Sequence, residues 1–188
     1  MSKKLGIGLV GFGTVGTGVW ETLNRNFELI SNRSSVQVEI MRIAVRDINK
    51  PRPEGAPSDR FTTDWSEVVN DANVDIVVEL IGGTTTAFDI AAAALRARKP
   101  VVTGNKALLA ERGKELFALS LAFDTPIHFE AAVAGGIPII KTVQDSFVGN
   151  RIQSMVGIIN GTSNYILERM TDAGLAYKEA LGEAQQLG

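Results

Sequence analysis

The chain has 188 residues, 45% of them hydrophobic, which is enough to bury a sizeable core and places it among globular proteins of one domain plus part of a second. Its formal charge is -2, from 19 basic and 21 acidic residues spread along the chain, so no basic stripe argues for nucleic acid and no acidic tail for a binding arm. Cysteine is absent, which excludes disulfides, thiolate metal sites and a cysteine nucleophile, and the single His128 excludes any site built on two histidines.

The first residues, MSKK, lead directly into an apolar run interrupted by Gly11 and Gly13, unlike a signal peptide, and no run approaches a membrane span. A cytoplasmic protein is the expectation. Leu5 to Val10 reads as the first strand, and Thr14 to about Leu29 as the first helix, with Val15, Val19, Leu23 and Phe27 at helical spacing. Ser31 to Ser35 has turn composition, and Val36 to Val45 follows as a second strand. Asp47 to Asp59 holds three of the six prolines and reads as a surface loop. Asp64 can cap a short helix through Val69. Val74 to Ile81 has the continuous apolar character of a strand covered on both faces, and Gly82 and Gly83 end it. A helix at Ala87 to Arg98, a strand at Pro100 to Thr103, a helix at Lys106 to Phe123 and a strand at Pro126 to Glu130 complete five or six β/α alternations.

This is the pattern of an α/β protein: a Rossmann-type doubly wound parallel sheet over residues 1–132, followed over 133–188 by a hinge and the start of a second α+β domain. In that second part Ser154 to Asn160 reads as a strand and Ser163 to Ala173 as a helix. The last residues, 183–188, lie in or just after an amphipathic helix.

The strongest local motif is Gly11-Phe12-Gly13-Thr14-Val15-Gly16, between a strand and a helix. Glycines there permit a tight turn, close approach of backbone to a pyrophosphate and tight helix packing, while the helix N-terminus offers N–H groups to the phosphates. A glycine-rich turn in some other α/β protein has the same spacing. The second strand ends at Ala44-Val45-Arg46-Asp47, with Lys50 beyond. Arg46 suits the 2′-phosphate of NADP, and Asp47 keeps NAD open.

Thr84, Thr85 and Thr86 stand at the carboxyl edge of the sheet, able to touch the cofactor or simply to cap the helix near Ala87. Thr103-Gly104-Asn105-Lys106 delivers a lysine to the same edge, where an ammonium can polarise a carbonyl. Glu130 to Pro138 is small and glycine-rich, an interdomain hinge or a set of carbonyls for a sodium or potassium ion. Asn160, Gly161, Thr162, Ser163 and Asn164 form a polar turn at a helix start, suited to a small carboxylate substrate or to capping alone.

In these segments the chain resembles the homoserine dehydrogenases, which reduce L-aspartate 4-semialdehyde to L-homoserine with NAD(P)H in threonine and methionine biosynthesis. The resemblance is carried by GFGTVGTGV from Gly11, ELIGGT from Glu79, TGNKALLA from Thr103, EAAVAGGIPII from Glu130 and GIINGTSNYIL from Gly157, in family order. It implies that Phe12, Thr14 and Val15 line the cofactor, with Arg46, Thr84 and Lys106 near it and Gly188 touching it. It places a monovalent cation (sodium or potassium) on backbone carbonyls of Glu130, Val133, Gly135 and Ile137, and the substrate region at Asn160, Gly161 and Thr162. Lys106 becomes the catalytic candidate, a homodimer the expected assembly, and NADP the favoured cofactor over NAD. In the family an acidic substrate motif and a proton-donating lysine follow AQQLG, so the expectation is a chain lacking that catalytic segment. A non-catalytic dinucleotide-binding regulatory module is the alternative.

Overall fold

The computed structural model describes residues 3–158 and 160–187; Gly188, implicated above in cofactor contact, lies outside them. The chain separates into two compact units, one ending at Gly135 and one beginning at Gly136.

In the first unit six strands form one parallel sheet: β1 Lys3–Val10, β2 Val36–Ala44, β3 Phe61–Thr62, β4 Ile76–Glu79, β5 Val101–Thr103 and β6 Ile127–His128. Their order is β3-β2-β1-β4-β5-β6. The chain thus runs outward from β1 in one direction, returns, and runs outward in the other, which is the dinucleotide-fold arrangement and leaves a crevice at the carboxyl ends of β1 and β4. The helices are α1 Thr14–Arg25, α2 Phe27–Ser34, α3 Trp65–Asn70, α4 Thr85–Arg96 and α5 Lys106–Ala122.

Both faces of the sheet are buried, which is why its central strands read as unbroken apolar runs. Alternate residues of a strand serve opposite faces. Val77 and Val101 pack with Ile90, Leu95, Leu108 and Leu116, whereas Val78 packs with Ile7, Leu9, Ile40 and Ile43 in a separate core.

Several boundaries differ from the sequence expectation. The first helix breaks at Asn26, a poor helix former, and α2 resumes through Ser34, so Ser31 to Ser34 is helical and the turn contracts to Ser35, which adopts left-handed backbone at φ 57°. The proline-rich loop contains a 3-10 turn, Ser58–Arg60, and leads into β3, a two-residue edge strand too short to show a hydrophobic period. The strand expected over Val74 to Ile81 pairs only from Ile76 to Glu79, and that expected to reach Glu130 ends at His128, with a 3-10 turn at Glu130–Ala132.

The second unit holds α6 Ile139–Lys141, continuing as a π turn at Thr142–Ser146, then α7 Gly161–Asp172 and α8 Tyr177–Leu187. The two long helices pack through Ile166, Ala180 and Ala184, and Arg169 bridges to Glu183 at 2.7 Å. The strand expected at Ser154 to Asn160 does not form among the described residues: 154–158 are exposed and join no ladder. A strand holds only when its N–H and C=O groups find a neighbouring strand, and none of the described residues supplies one.

Candidate cofactor site

The first and third glycines of the fingerprint are sterically required. Gly11 leaves β1 at φ 104°, with its N–H donating to the Ala44 carbonyl at 2.9 Å, and a Cβ on it would lie 2.7 Å from the Leu80 carbonyl oxygen. A Cβ on Gly16 would stand 2.1 Å from the Gly11 carbonyl oxygen, so only glycine lets α1 approach the turn this closely. Gly13 is different. Nothing lies within 4 Å of the position its Cβ would take, so no protein atom requires a glycine there.

Gly13 is also the N-cap of α1; no side chain caps the helix and no acidic residue stands in its first turn. The first N–H groups of such a helix have no intrahelical acceptor and present partial positive charge. An anion is the natural occupant of that position.

A cleft of about 800 Å³ opens at this turn, across the carboxyl ends of β1, β2 and β4. Gly11, Phe12 and Gly13 form one wall; Leu80, Ile81, Gly82 and Thr86 form another; Arg46, Asp47, Lys50 and Arg52 line the end beyond β2. Of the lining residues that carry charge, three are basic and one acidic, a balance that favours phosphate. The Asp47 carboxylate accepts the N–H of Asn49 at 2.9 Å, tying it into its own turn, and Arg46 stands exposed beside it.

The expected residues fall into groups. Gly11, Phe12, Gly13 and Arg46 line the cleft. Thr14 and the exposed Val15 lie on the first turn of α1, while Gly16 is buried under it. The Phe12 ring is 4% exposed and packs edge-on against Phe61. Thr84 is the N-cap position of α4 but makes no side-chain capping bond, so neither Thr85 nor Thr86 caps that helix; Thr86 borders the cleft instead. Lys106 is exposed as the first residue of α5.

Sequence reasoning missed two features. Arg52, held between Pro51 and Pro53 in what reads as a solvent loop, folds back to donate to the Phe12 carbonyl at 2.8 Å and the Asp47 carbonyl at 2.9 Å, with its guanidinium over the Phe12 and Phe61 rings. Glu79, Thr103 and Asn105 form a buried hydrogen-bonded group at the ends of β4 and β5. A carboxylate inside an apolar strand covered on both faces is itself the signal that could have found it.

Towards the second unit, the Glu130 carbonyl accepts the Val133 N–H at 3.2 Å, Val133 is extended, and Ala134 is left-handed at φ 48°. Among the described residues no group of three His, Cys, Asp or Glu gathers as a transition-metal site would require. Ile137, in the second unit, is 62% exposed and its carbonyl accepts the Ile139 N–H at 2.8 Å. Asn160 caps α7, its side chain accepting the Ser163 N–H at 2.8 Å, with Gly161 and Thr162 exposed in the first turn.

Residues 11–130 match the family profile of the homoserine dehydrogenase NAD-binding domain, and 138–188 that of homoserine dehydrogenase. The chain is 44% identical over 186 residues to the homoserine dehydrogenase of Corynebacterium glutamicum and 46% identical over 186 residues to that of Neisseria gonorrhoeae, covering 99% of itself and 42% of each relative. The crystal structure of a homoserine dehydrogenase from Thiobacillus denitrificans superposes with a TM-score of 0.91 at 46% identity, over 99% of this chain and 43% of that one. A hyperthermophilic archaeal homoserine dehydrogenase in complex with NADPH has the same fold, with a TM-score of 0.81 at 23% identity over 98% of this chain and 61% of that one.

Proposed function

The chain belongs to the homoserine dehydrogenase family, and on that premise we propose that it carries the NADP(H)-binding part of an oxidoreductase that interconverts L-aspartate 4-semialdehyde and L-homoserine, in threonine and methionine biosynthesis. The observation that carries this reading is the cleft at the Gly11–Gly16 turn, whose open Gly13 position and uncapped helix start suit a pyrophosphate. The NADPH complex of the archaeal protein of the same fold supports a phosphorylated dinucleotide.

When bound, the nicotinamide supplies or receives the hydride. The chain's own groups bind and orient. N–H groups of the first turn of α1 receive the pyrophosphate, and Arg46 pairs with the 2′-phosphate. Lys106, at the exposed start of α5, places an ammonium where it orients the semialdehyde carbonyl and neutralises the oxygen as it gains charge. Asn160 to Thr162 belong to the substrate side of this reading. The carbonyls of Glu130, Val133 and Gly135 would hold a monovalent cation, whose part is to order that backbone.

Homodimerisation follows the same resemblance and is supported by the exposure of Phe147, Val148, Met155 and Val156 in the second unit.

NADPH binding to the chain, followed by fluorescence, tests the cofactor reading, and homoserine-dependent reduction of NADP, followed by absorbance, tests the reaction. Arg46→Ala is expected to lower affinity for NADP about tenfold while leaving NAD unchanged. Equal loss for both cofactors would remove the 2′-phosphate assignment. Cofactor binding that homoserine never influences, also in a chain extended to the full length of the relatives, would favour the regulatory module.

A further inference from the structure

Glu79 is fully buried at the last position of β4, in register with Val10 on one side and Thr103 on the other. Its two oxygens accept from two different segments. Oε1 takes the Ile81 N–H at 2.8 Å, and Oε2 takes the Thr103 hydroxyl at 2.6 Å. The Thr103 oxygen in turn accepts the Asn105 N–H at 3.0 Å. The Asn105 side-chain amide donates to the carbonyls of Ile81 at 3.1 Å and Gly83 at 2.7 Å, and its Oδ1 accepts the Leu108 N–H at 3.0 Å, capping α5. The bonds close a ring from Glu79 through the 81–83 loop, Asn105 and Thr103 back to Glu79.

The two segments joined by this ring are those the reaction needs. Ile81 and Gly82 border the cleft on the β4 side, and Asn105 immediately precedes Lys106. In a doubly wound sheet the half begun by β1 and β2 takes one mononucleotide and the half begun by β4 takes the other. With the 2′-phosphate end assigned to Arg46 beyond β2, the β4 half faces the nicotinamide.

We propose that Glu79 is a positioning residue: through Thr103 and Asn105 its carboxylate locks the 81–83 loop to the start of α5, so that the wall for the nicotinamide half and the backbone presenting Lys106 move as one piece. A buried carboxylate is costly to keep among apolar neighbours, and a strand end needing only stability is served as well by valine. Its place here follows from what it joins. The adenosine half, held beyond β1 and β2, lies outside the ring and is independent of it. This inference rests on the cofactor reading above.

The test compares affinities of the chain for NADPH and for adenosine 2′,5′-bisphosphate, which occupies only the adenosine half, in Glu79→Gln, Thr103→Val and Thr103→Ser. Glu79→Gln and Thr103→Val are expected to weaken NADPH about tenfold and leave the bisphosphate unchanged, whereas Thr103→Ser, which keeps the hydroxyl, retains both. Equal weakening of both ligands, as a purely structural role predicts, overturns the proposal; so does no weakening of NADPH, or a loss in Thr103→Ser as large as in Thr103→Val. Circular dichroism reports folding, and if Glu79→Gln does not fold the Thr103 pair decides. Failure of the unaltered chain to bind either ligand overturns the cofactor reading itself, and the proposal with it.

Discussion

The three fingerprint glycines are the same residue with separable tasks. Gly16→Ala drives a methyl into the Gly11 carbonyl, so both thermal stability and cofactor affinity should fall. At Gly13 the methyl meets no protein atom within 4 Å. Gly13→Ala should therefore change stability by no more than about 0.5 kcal/mol, while NADPH affinity drops at least about tenfold because the methyl occupies the pyrophosphate's space. A parallel loss of stability in Gly13→Ala, seen by thermal melting, would contradict this division. Glu79 makes a prediction of another kind. Burial pushes its carboxyl above the ordinary value, outweighing the bonds from Thr103, Ile81 and Asn105 that lower it. Folding then takes up a proton between the unfolded and folded values, so the stability this group contributes is greatest below the unfolded value and falls as pH rises through the folded one. Melting temperatures of the chain and of Glu79→Gln, compared from neutral into acid pH, should shift in favour of the unaltered chain as pH falls. Asp71 has the opposite sign: the Asn73 N–H and Arg42 hold its carboxyl low, so its contribution is present at neutral pH and lost in acid.

At the scale of elements, caps decide where helices begin and what they present. Asn105 and Asn160 each accept an N–H three residues on, one at the start of α5 and one at the start of α7. Their surroundings separate them. Asn105 also satisfies the carbonyls of Ile81 and Gly83, whereas Asn160 is exposed. Asn160→Ser keeps a capping oxygen and Asn160→Ala does not, so only the second should lose stability, by about 1 kcal/mol. If Asn160 also contacts substrate, Asn160→Ser will lose homoserine binding without losing stability, and calorimetric titration beside a thermal melt tells the two roles apart. The start of α1 is the converse case: its cap is a glycine, so its N–H groups stay available to a ligand.

For the whole molecule, the residues lining the cleft run from Val10 to Ile90, entirely inside the first unit. Residues 1–135 alone are therefore expected to bind NADPH within about twofold of the full chain, a comparison that fluorescence titration makes directly. A large loss would show that the second unit contributes to cofactor affinity. How much of the fold and of the site is legible in the sequence depends on the range of the interaction. The β/α alternation, both buried sheet faces and the turn after β1 are local: period, apolar run and glycine spacing are properties of ten or fifteen consecutive residues, and they suffice to name the parallel doubly wound sheet. The strand β3, the fold-back of Arg52 and the failure of 154–158 to form a strand are not local, because a strand needs a ladder partner and a guanidinium needs carbonyls from elsewhere. The ring of Glu79, Thr103 and Asn105 shows the division most clearly. Each residue was visible in a motif, but their connection spans 26 positions and exists only because β4 and β5 lie side by side and bring the carboxylate within 2.6 Å of the hydroxyl.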